Sequence, residues 1–424
     1  MSAAPRVKKI AAVGRLAVAT LVTAAAGTAD AASSSFRLSD PSETALEAVV
    51  GRRADGGFVS AWRGFAGAIT ARRFLADGTP AGAPLLLKPS DGRSATSLRI
   101  AVNRRGDFVV TWEGSDENGS EGVNARSFRP DGQLVASVRA AEFRNESSTG
   151  SDVAIDDDGD FVIAWRGVRQ IAIPILIPYG AIELGSSSVK AQRFTSTGTP
   201  IGRVATIAAS ITDPVPVIGV FEQSAPAVAS DGAGNAVVVW GTRDGIGPNA
   251  VFARRLSPRG IPQGLAFRVD TRSDAGAYDP DVDMTEDGSS MVVVWQQSHS
   301  VGGGGFSGYD VLARRYDSRD RAGPVVAAGD LVLIGGRVSV DMNLAGQAVI
   351  AWPATEADFC CLPPVVAMQR LDARGARVGG NQRVSTDYAD FAAAAIDDDG
   401  SAVVVWSIRS VSPPAVLASL LPLP

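Results

Sequence analysis

Histidine and cysteine are nearly absent from this 424-residue chain, which holds one of the first and two of the second. A histidine-rich metal site, or a nucleophile activated by a histidine relay, has almost nothing to be built from. The one histidine, His299, lies in SHSVGGGG, where a lone loop histidine is expected to be solvated. The cysteines, Cys360 and Cys361, are adjacent, so a bond between them cannot staple distant segments and stability must come from packing. Positive charge is in deficit as well: 40 Lys+Arg stand against 45 Asp+Glu, which argues against nucleic acid as a partner. No nucleophile elbow, phosphate-binding loop or CxxC pair occurs. The apolar run from Leu16 to Gly27 is about 12 residues, short of the roughly 20 that a membrane-spanning helix requires.

That run has another use. Arg6, Lys8, Lys9 and Arg15 precede it and Ala29-Asp30-Ala31 follows it, the charged, apolar and small-residue order of a secretory signal peptide. Residues 1–31 are expected to be removed, leaving 36 basic against 44 acidic residues and a mildly acidic protein that is secreted, periplasmic or held at the cell surface. No membrane span is expected, nor a lipid-bearing cysteine after the cleavage site.

What the chain has in abundance is turns and short apolar runs: 46 Gly, 24 Pro and 45% hydrophobic residues. All seven tryptophans close such runs: Trp62 in GFVSAW, Trp112 in DFVVTW, Trp165 in DFVIAW, Trp240 in NAVVVW, Trp295 in SMVVVW, Trp352 in QAVIAW and Trp406 in SAVVVW. Their spacing is near 54 residues with one expanded copy, the signature of a repeat architecture. A shorter run precedes each one across an Asp/Gly turn, as hairpins do. A third run follows, as in TARRF, KAQRF and LARRY, and after a second Gly turn comes a fourth, as in AFRVD and QRVST.

Each unit is therefore a four-stranded meander that cannot bury both faces alone. The units run over about 44–95, 96–148, 149–223, 224–278, 279–336, 337–390 and 391–424. The seventh lacks its fourth strand, and SSFRLSD at Ser34–Asp40 looks like one. The expectation is an all-β, seven-bladed β-propeller of four-stranded antiparallel blades, one domain over 32–424, with the N-terminal strand completing the last blade.

The apolar run ending in tryptophan, the QRF or ARRF strand and the D-x-x-G turn resemble tandem repeats of large secreted bacterial proteins. ARRYDSRDRAG and NARSFRPDG also resemble the delta-60 type of repeat. The resemblance implies a propeller-like module and carries no shared catalytic residues.

Function is expected where the repeats disagree. The loops from second to third strand and from fourth to the next first strand share one face of a propeller and vary most, which points to binding there. Candidate ligand contacts are Asp116 and Glu117 in one such loop, and Asp152, Asp281, Asp283 and Asp341 on innermost strands facing the channel. The apolar stretch IAIPILIPYGAIEL offers a partner contact through Ile171, Ile175, Leu176, Ile177 and Tyr179. The acidic turns Asp156–Asp158 with Asp160, and Asp397–Asp399, have carboxylates for calcium but also the composition of a plain DG hairpin. No other cofactor is indicated. The third-strand arginines Arg73, Arg193, Arg255, Arg315 and Arg370 recur too regularly to be a site, and the tryptophans read as core. The resulting expectation is a monomeric, non-catalytic binding or scaffold module for a protein or polysaccharide. The alternative is a carbohydrate-active hydrolase or lyase using channel carboxylates.

Overall fold

The computed structural model describes residues 35–116, 118–142, 147–177, 180–210, 225–243, 248–272, 275–301, 306–329, 336–355, 364–385, 389 and 391–423. These form seven four-stranded antiparallel sheets, each a meander in sequence order except the last. Among the described residues the only helical turn is a 3-10 turn at Phe65–Gly67. The chain is a seven-bladed β-propeller. Its innermost strands are Leu46–Arg52, Ala95–Val102, Ser147–Ile155, Ala227–Ser230, Ala277–Met284, Ser339–Met342 and Phe391–Ile396, one for each of blades 1 to 7.

The seventh blade takes its outermost strand from the other end of the chain. Phe36–Arg37 pairs antiparallel with Ala415–Leu421, so one sheet carries both termini of the propeller. The resemblance of SSFRLSD to AFRVD and QRVST extends to individual bonds. Leu38, Val269 and Val384 each donate a backbone N–H to the third strand of their blade, at Val416, Val251 and Val366. The next side chains, Ser39, Asp270 and Ser385, accept the N–H of those same three residues. The named strands end just before this motif, at Arg268 and Arg383, so the fourth strands begin earlier than AFRVD and QRVST suggested.

Seven hydrophobic clusters fill the seven junctions between blades, and each contains one tryptophan packed against the preceding blade. Trp295, for example, meets Ala227, Val237, Val239 and Val251 of blade 4. No tryptophan is more than 3% exposed. Burying a side chain of that size contributes several kcal/mol per junction, which makes the tryptophans architecture rather than a ligand platform.

The third-strand arginines clamp the same junctions from outside. Arg73 donates to Pro130 O, Arg193 to Gly234 O, Arg315 to Gly346 O and Arg370 to Gly400 O, each in the following blade. Arg255 reaches the following blade through the Asp320 carboxylate. Blade 2 has Ser127 at this position, and its hydroxyl donates to Ser196 O of blade 3. At the closing junction Arg52 of blade 1 makes a buried ion pair with Asp397 of blade 7, 2.9 Å apart.

Two segments expected to be loops are strand. Phe161–Ile177 and Gly180–Phe194 form one extended hairpin in blade 3, and Ser290–Val301 with Phe306–Asp317 forms another in blade 5. Antiparallel pairing satisfies the backbone along both arms, so proline and glycine near the tips did not prevent extension. His299 therefore stands in a strand opposite Gly308, half-buried, with Nδ1 3.3 Å from Asp310.

Candidate functional site: the central channel

The innermost strands surround a cavity of about 260 Å³ on the propeller axis. Register fixes which positions are equivalent around it. The residues paired with the one before each tryptophan are Val49, Arg99, Asp152, Ala227, Asp281, Ser339 and Ala393. Two residues deeper, the ring is Gly51, Ala101, Ala154, Ala229, Asp283, Asp341 and Ala395. All four channel aspartates expected from sequence fall on these two rings and line the cavity.

Each of them is also bonded to its neighbour. Asp152 accepts the N–H of Val228, Asp281 that of Val340, Asp283 that of Met342 and Asp341 that of Ile396, at 2.7–2.9 Å and always in the following blade. The inner edge of an innermost strand has unpaired N–H groups, and a carboxylate from the preceding blade is one way to satisfy them. Asp283 also donates a hydrogen bond to Asp341.

Burial raises the proton affinity of all four. Asp152 and Asp341 are pushed up to about 6, and Asp281 to about 7 with help from the charge of Asp152. Asp283 lies well above the carboxylate range through burial and the nearby Asp341. Desolvation penalises the charged form, and a like charge adds to the penalty.

At the end of the channel nearer the loops between blades, Arg99 is a cation shared by Asp152 and Asp281. Its guanidinium lies 3.7 Å from Asp152, and its charge also acts on Asp281 and on Glu113. Glu113 follows Trp112 and is buried against blade 3, beside Ser97, Ser151 and the Gly150 N–H. Three non-glycine residues here, Glu47, Ser97 and Asp279, take left-handed backbone angles with φ of 50°, 54° and 42°. Each sits at a register shift at the start of its innermost strand, as does Gly150 in blade 3. Such angles are uncommon outside glycine and cluster at functional sites.

The opposite end of the channel is crossed by Arg104 of blade 2. It meets Asp398 of blade 7 at 2.6 Å and Glu286 of blade 5 at 3.4 Å. Burial pushes Glu286 up to about 8, helped by its hydrogen bond with Asp157 of blade 3. Turns from four blades thus converge on the axis and form a floor.

Several other expectations resolve differently. Asp116 lies away from the channel. It caps its own turn by accepting the N–H groups of Asn118 and Ser120, and it pairs with Arg139. Glu117, Tyr179, Cys360 and Cys361 lie outside the described residues, as do the side chains of Ile171, Ile175, Leu176 and Ile177. In the acidic turns, Asp156 Oδ1 accepts from Asp158 and Asp160, and its other oxygen pairs with Arg193. Asp397 accepts from Ser401 and pairs with Arg52. Among the described residues no group of three or more His, Cys, Asp or Glu side chains is arranged to hold a metal ion. Arg99, Glu113, Arg104 and Glu286 were missed in the sequence. The available signal for Arg99 was an arginine where other blades place Val, Ala, Ser or Asp.

No family model matches this sequence, and no curated protein does. Solved structures do match in shape. An ulvan lyase of a new polysaccharide lyase family, bound to -[GlcA(1-4)Rha3S]-, superposes with a TM-score of 0.51 at 10% identity, over 91% of this chain and 96% of its own. A protein of unknown function from Dyadobacter fermentans gives 0.48 at 12% identity, covering 91% of this chain and 100% of its own. A Hadza microbial sialidase gives 0.49 at 11% identity over 86% and 76%. The likeness is one of fold.

Proposed function

We propose that this chain is an exported, non-catalytic ligand-binding propeller that takes its ligand at the Arg99 end of the channel, on the face of the second-to-third-strand loops. The observation that carries this reading is the broken repetition of the channel rings. Blades 2, 3, 5 and 6 bring Arg99, Asp152, Asp281, Asp283 and Asp341 to positions where the others have Val, Ala or Gly. Each aspartate has one oxygen committed to a neighbouring blade, which fixes its carboxyl group in place and leaves the other oxygen directed to what the channel holds. Among the described residues no helix is long and apolar enough to cross a membrane.

A second reading has one observation in its favour. Asp281, half protonated at about 7 beside Asp152, matches the proton affinity of a general acid, so a hydrolase or lyase acting on carbohydrate stays in play. Incubating the protein with a polysaccharide panel and assaying both retention and product release separates the two. Retention without products supports the binder. Product release that disappears in Asp281→Asn overturns it in favour of the enzyme.

A further inference from the structure

A second cavity, of about 200 Å³, lies away from the channel and shares no lining residue with it. Its walls come from the fourth strand of blade 1 and the second, third and fourth strands of blade 2, with Lys88, Trp112, Asn124, Arg126, Ser137 and Arg139 among them. Two of these residues depart from the repeat. Lys88 stands as far after the third-strand arginine Arg73 as Asp270 does after Arg255 and Ser385 after Arg370, but a lysine cannot accept the third-strand N–H that Asp270 and Ser385 accept. Asn124 pairs with Trp112 at the register where blade 4 stacks Phe252 on Trp240.

Both residues are buried, at 2% exposed, and both have hydrogen-bonding capacity left over. Lys88 Nζ donates to Asp91 Oδ1 at 2.7 Å and to Gly67 O at 3.1 Å, and among the described residues nothing takes the third N–H of the ammonium. Asn124 Nδ2 gives its two hydrogens to Gly114 O and Gly122 O, which fixes the orientation of the amide and leaves Oδ1 with no donor among the described residues. That oxygen is not sealed off by protein atoms, so it opens on the cavity that Asn124 lines. Buried polar groups are nearly always met in a native fold. A spare N–H on a buried cation and an open amide oxygen, in the walls of one cavity, are a donor and an acceptor held for something that enters.

We propose that this cavity binds a small hydroxycarboxylate, with the carboxylate on Lys88 and the hydroxyl donating to Asn124 Oδ1. The site is separate from the channel and does not rest on the reading of the channel acids. The charged residues lining it are three cations, Lys88, Arg126 and Arg139, and one acid, Asp116, whose oxygens already take Asn118, Ser120 and Arg139. An anion is therefore favoured over a cation. Sulfate or a simple carboxylate would meet the ammonium and leave Asn124 Oδ1 unmet, because neither has a proton to donate. An apolar molecule would strand both groups. The volume is below that of pockets enclosing drug-sized ligands, which limits the occupant to a hydroxy acid or a single uronate ring, and Trp112 supplies an apolar wall for its C–H groups.

Isothermal titration of the folded protein with lactate, malate and galacturonate tests this, with propionate (no hydroxyl), galactose (no carboxylate) and sulfate as counterparts and digalacturonate as a uronate at a chain end. The expected result is saturable binding of at least one hydroxycarboxylate, about tenfold or more tighter than any counterpart, and weakened about tenfold or more in Lys88→Met and in Arg126→Gln, as loss of a hydrogen bond to a charged group would do. Digalacturonate binding as tightly as galacturonate assigns the site to the end of an acidic glycan, and its exclusion assigns it to a free acid. Lys88→Met leaves Asp91 the Ser115 hydroxyl and the Arg93 N–H. If that variant does not fold, Arg126→Gln, at a partly exposed position, carries the comparison. Propionate, galactose or sulfate binding as tightly as the hydroxycarboxylates overturns the ligand chemistry. Hydroxycarboxylate binding that the folded variants retain overturns the site. Absence of saturable binding by every probe overturns the proposal and leaves the channel reading standing.

Discussion

Replacing Asp281 by asparagine should make the protein more heat-stable in mild alkali and leave it nearly unchanged in mild acid. Asparagine keeps an oxygen to accept the Val340 N–H at 2.9 Å and removes only the charge. The folded-state pKa of Asp281 is raised from 3.8 to about 7, first by burial and then by Asp152. A raised carboxyl contributes stability that is fully present below its unfolded value, near 4, and is lost as pH climbs through the folded value, near 7. About three pH units at 1.36 kcal/mol each set a ceiling of about 4 kcal/mol. Channel water and relaxation of the neighbours reduce this to about 1–3 kcal/mol. For a propeller of this length that is about 1–4 °C in melting temperature. Melts of the parent and Asp281→Asn should be followed by circular dichroism from pH 4.5 to 8.5. The difference, variant minus parent, should be near zero or negative at the acid end, climb as pH rises toward about 7 and level off above it. A difference that stays flat, or falls as pH rises, would refute the claim that this carboxylate is held in the channel at a cost.

Three further outcomes follow from the packing. Removing residues 34–40 takes away the strand that pairs with Ala415–Leu421, and it should lower the melting temperature by several degrees or drive oligomerisation. A monomer with unchanged melting in size-exclusion and calorimetry would contradict the closure. Arg52→Met strands the buried Asp397 carboxylate and should cost about 3–5 kcal/mol in urea titrations, whereas Arg321→Met, in an exposed pair with Asp317, should cost under about 1 kcal/mol. EDTA should leave the melting temperature unchanged, since the acidic turns at Asp156 and Asp397 are already held by turn N–H groups and arginines. A drop of several degrees that calcium reverses would show that those turns hold the ion.

The relations within a blade were legible because they are local and repeated seven times. An apolar run closed by tryptophan, a DG turn and an ARRF strand give the meander, and the missing fourth strand after Leu420 points back to Ser34–Asp40. The relations across the channel were not. That Asp152 caps the N–H of Val228 depends on the rotation between neighbouring sheets, and nothing within blade 3 states it. Arg104 meeting both Glu286 and Asp398 depends on the ring closing to a particular radius, so residues far apart in the chain come together on the axis. The apolar second-to-third-strand segment of blade 3 was expected to be a loop because it differs from the other repeats, yet pairing such as Ala172 with Glu183 continues the ladder through it.

The seven copies also provide an internal control for the channel acids. If a carboxylate on the upper ring were needed to satisfy the inner edge of the next blade, every blade would need an acceptor there. Blades 4 and 7 have Ala227 and Ala393, and blade 1 has Val49, yet their neighbours close against them in the same way. Edge N–H groups facing a wet channel can be met by water. The bonds from Asp152, Asp281, Asp283 and Asp341 are thus one solution among several, and a costly one, since burial holds all four above the normal carboxylate range. Residues that a fold does not require and that cost it stability are the ones retained for function. On that basis the acids and Arg99, rather than the seven tryptophans or the third-strand arginines, are where activity should be sought.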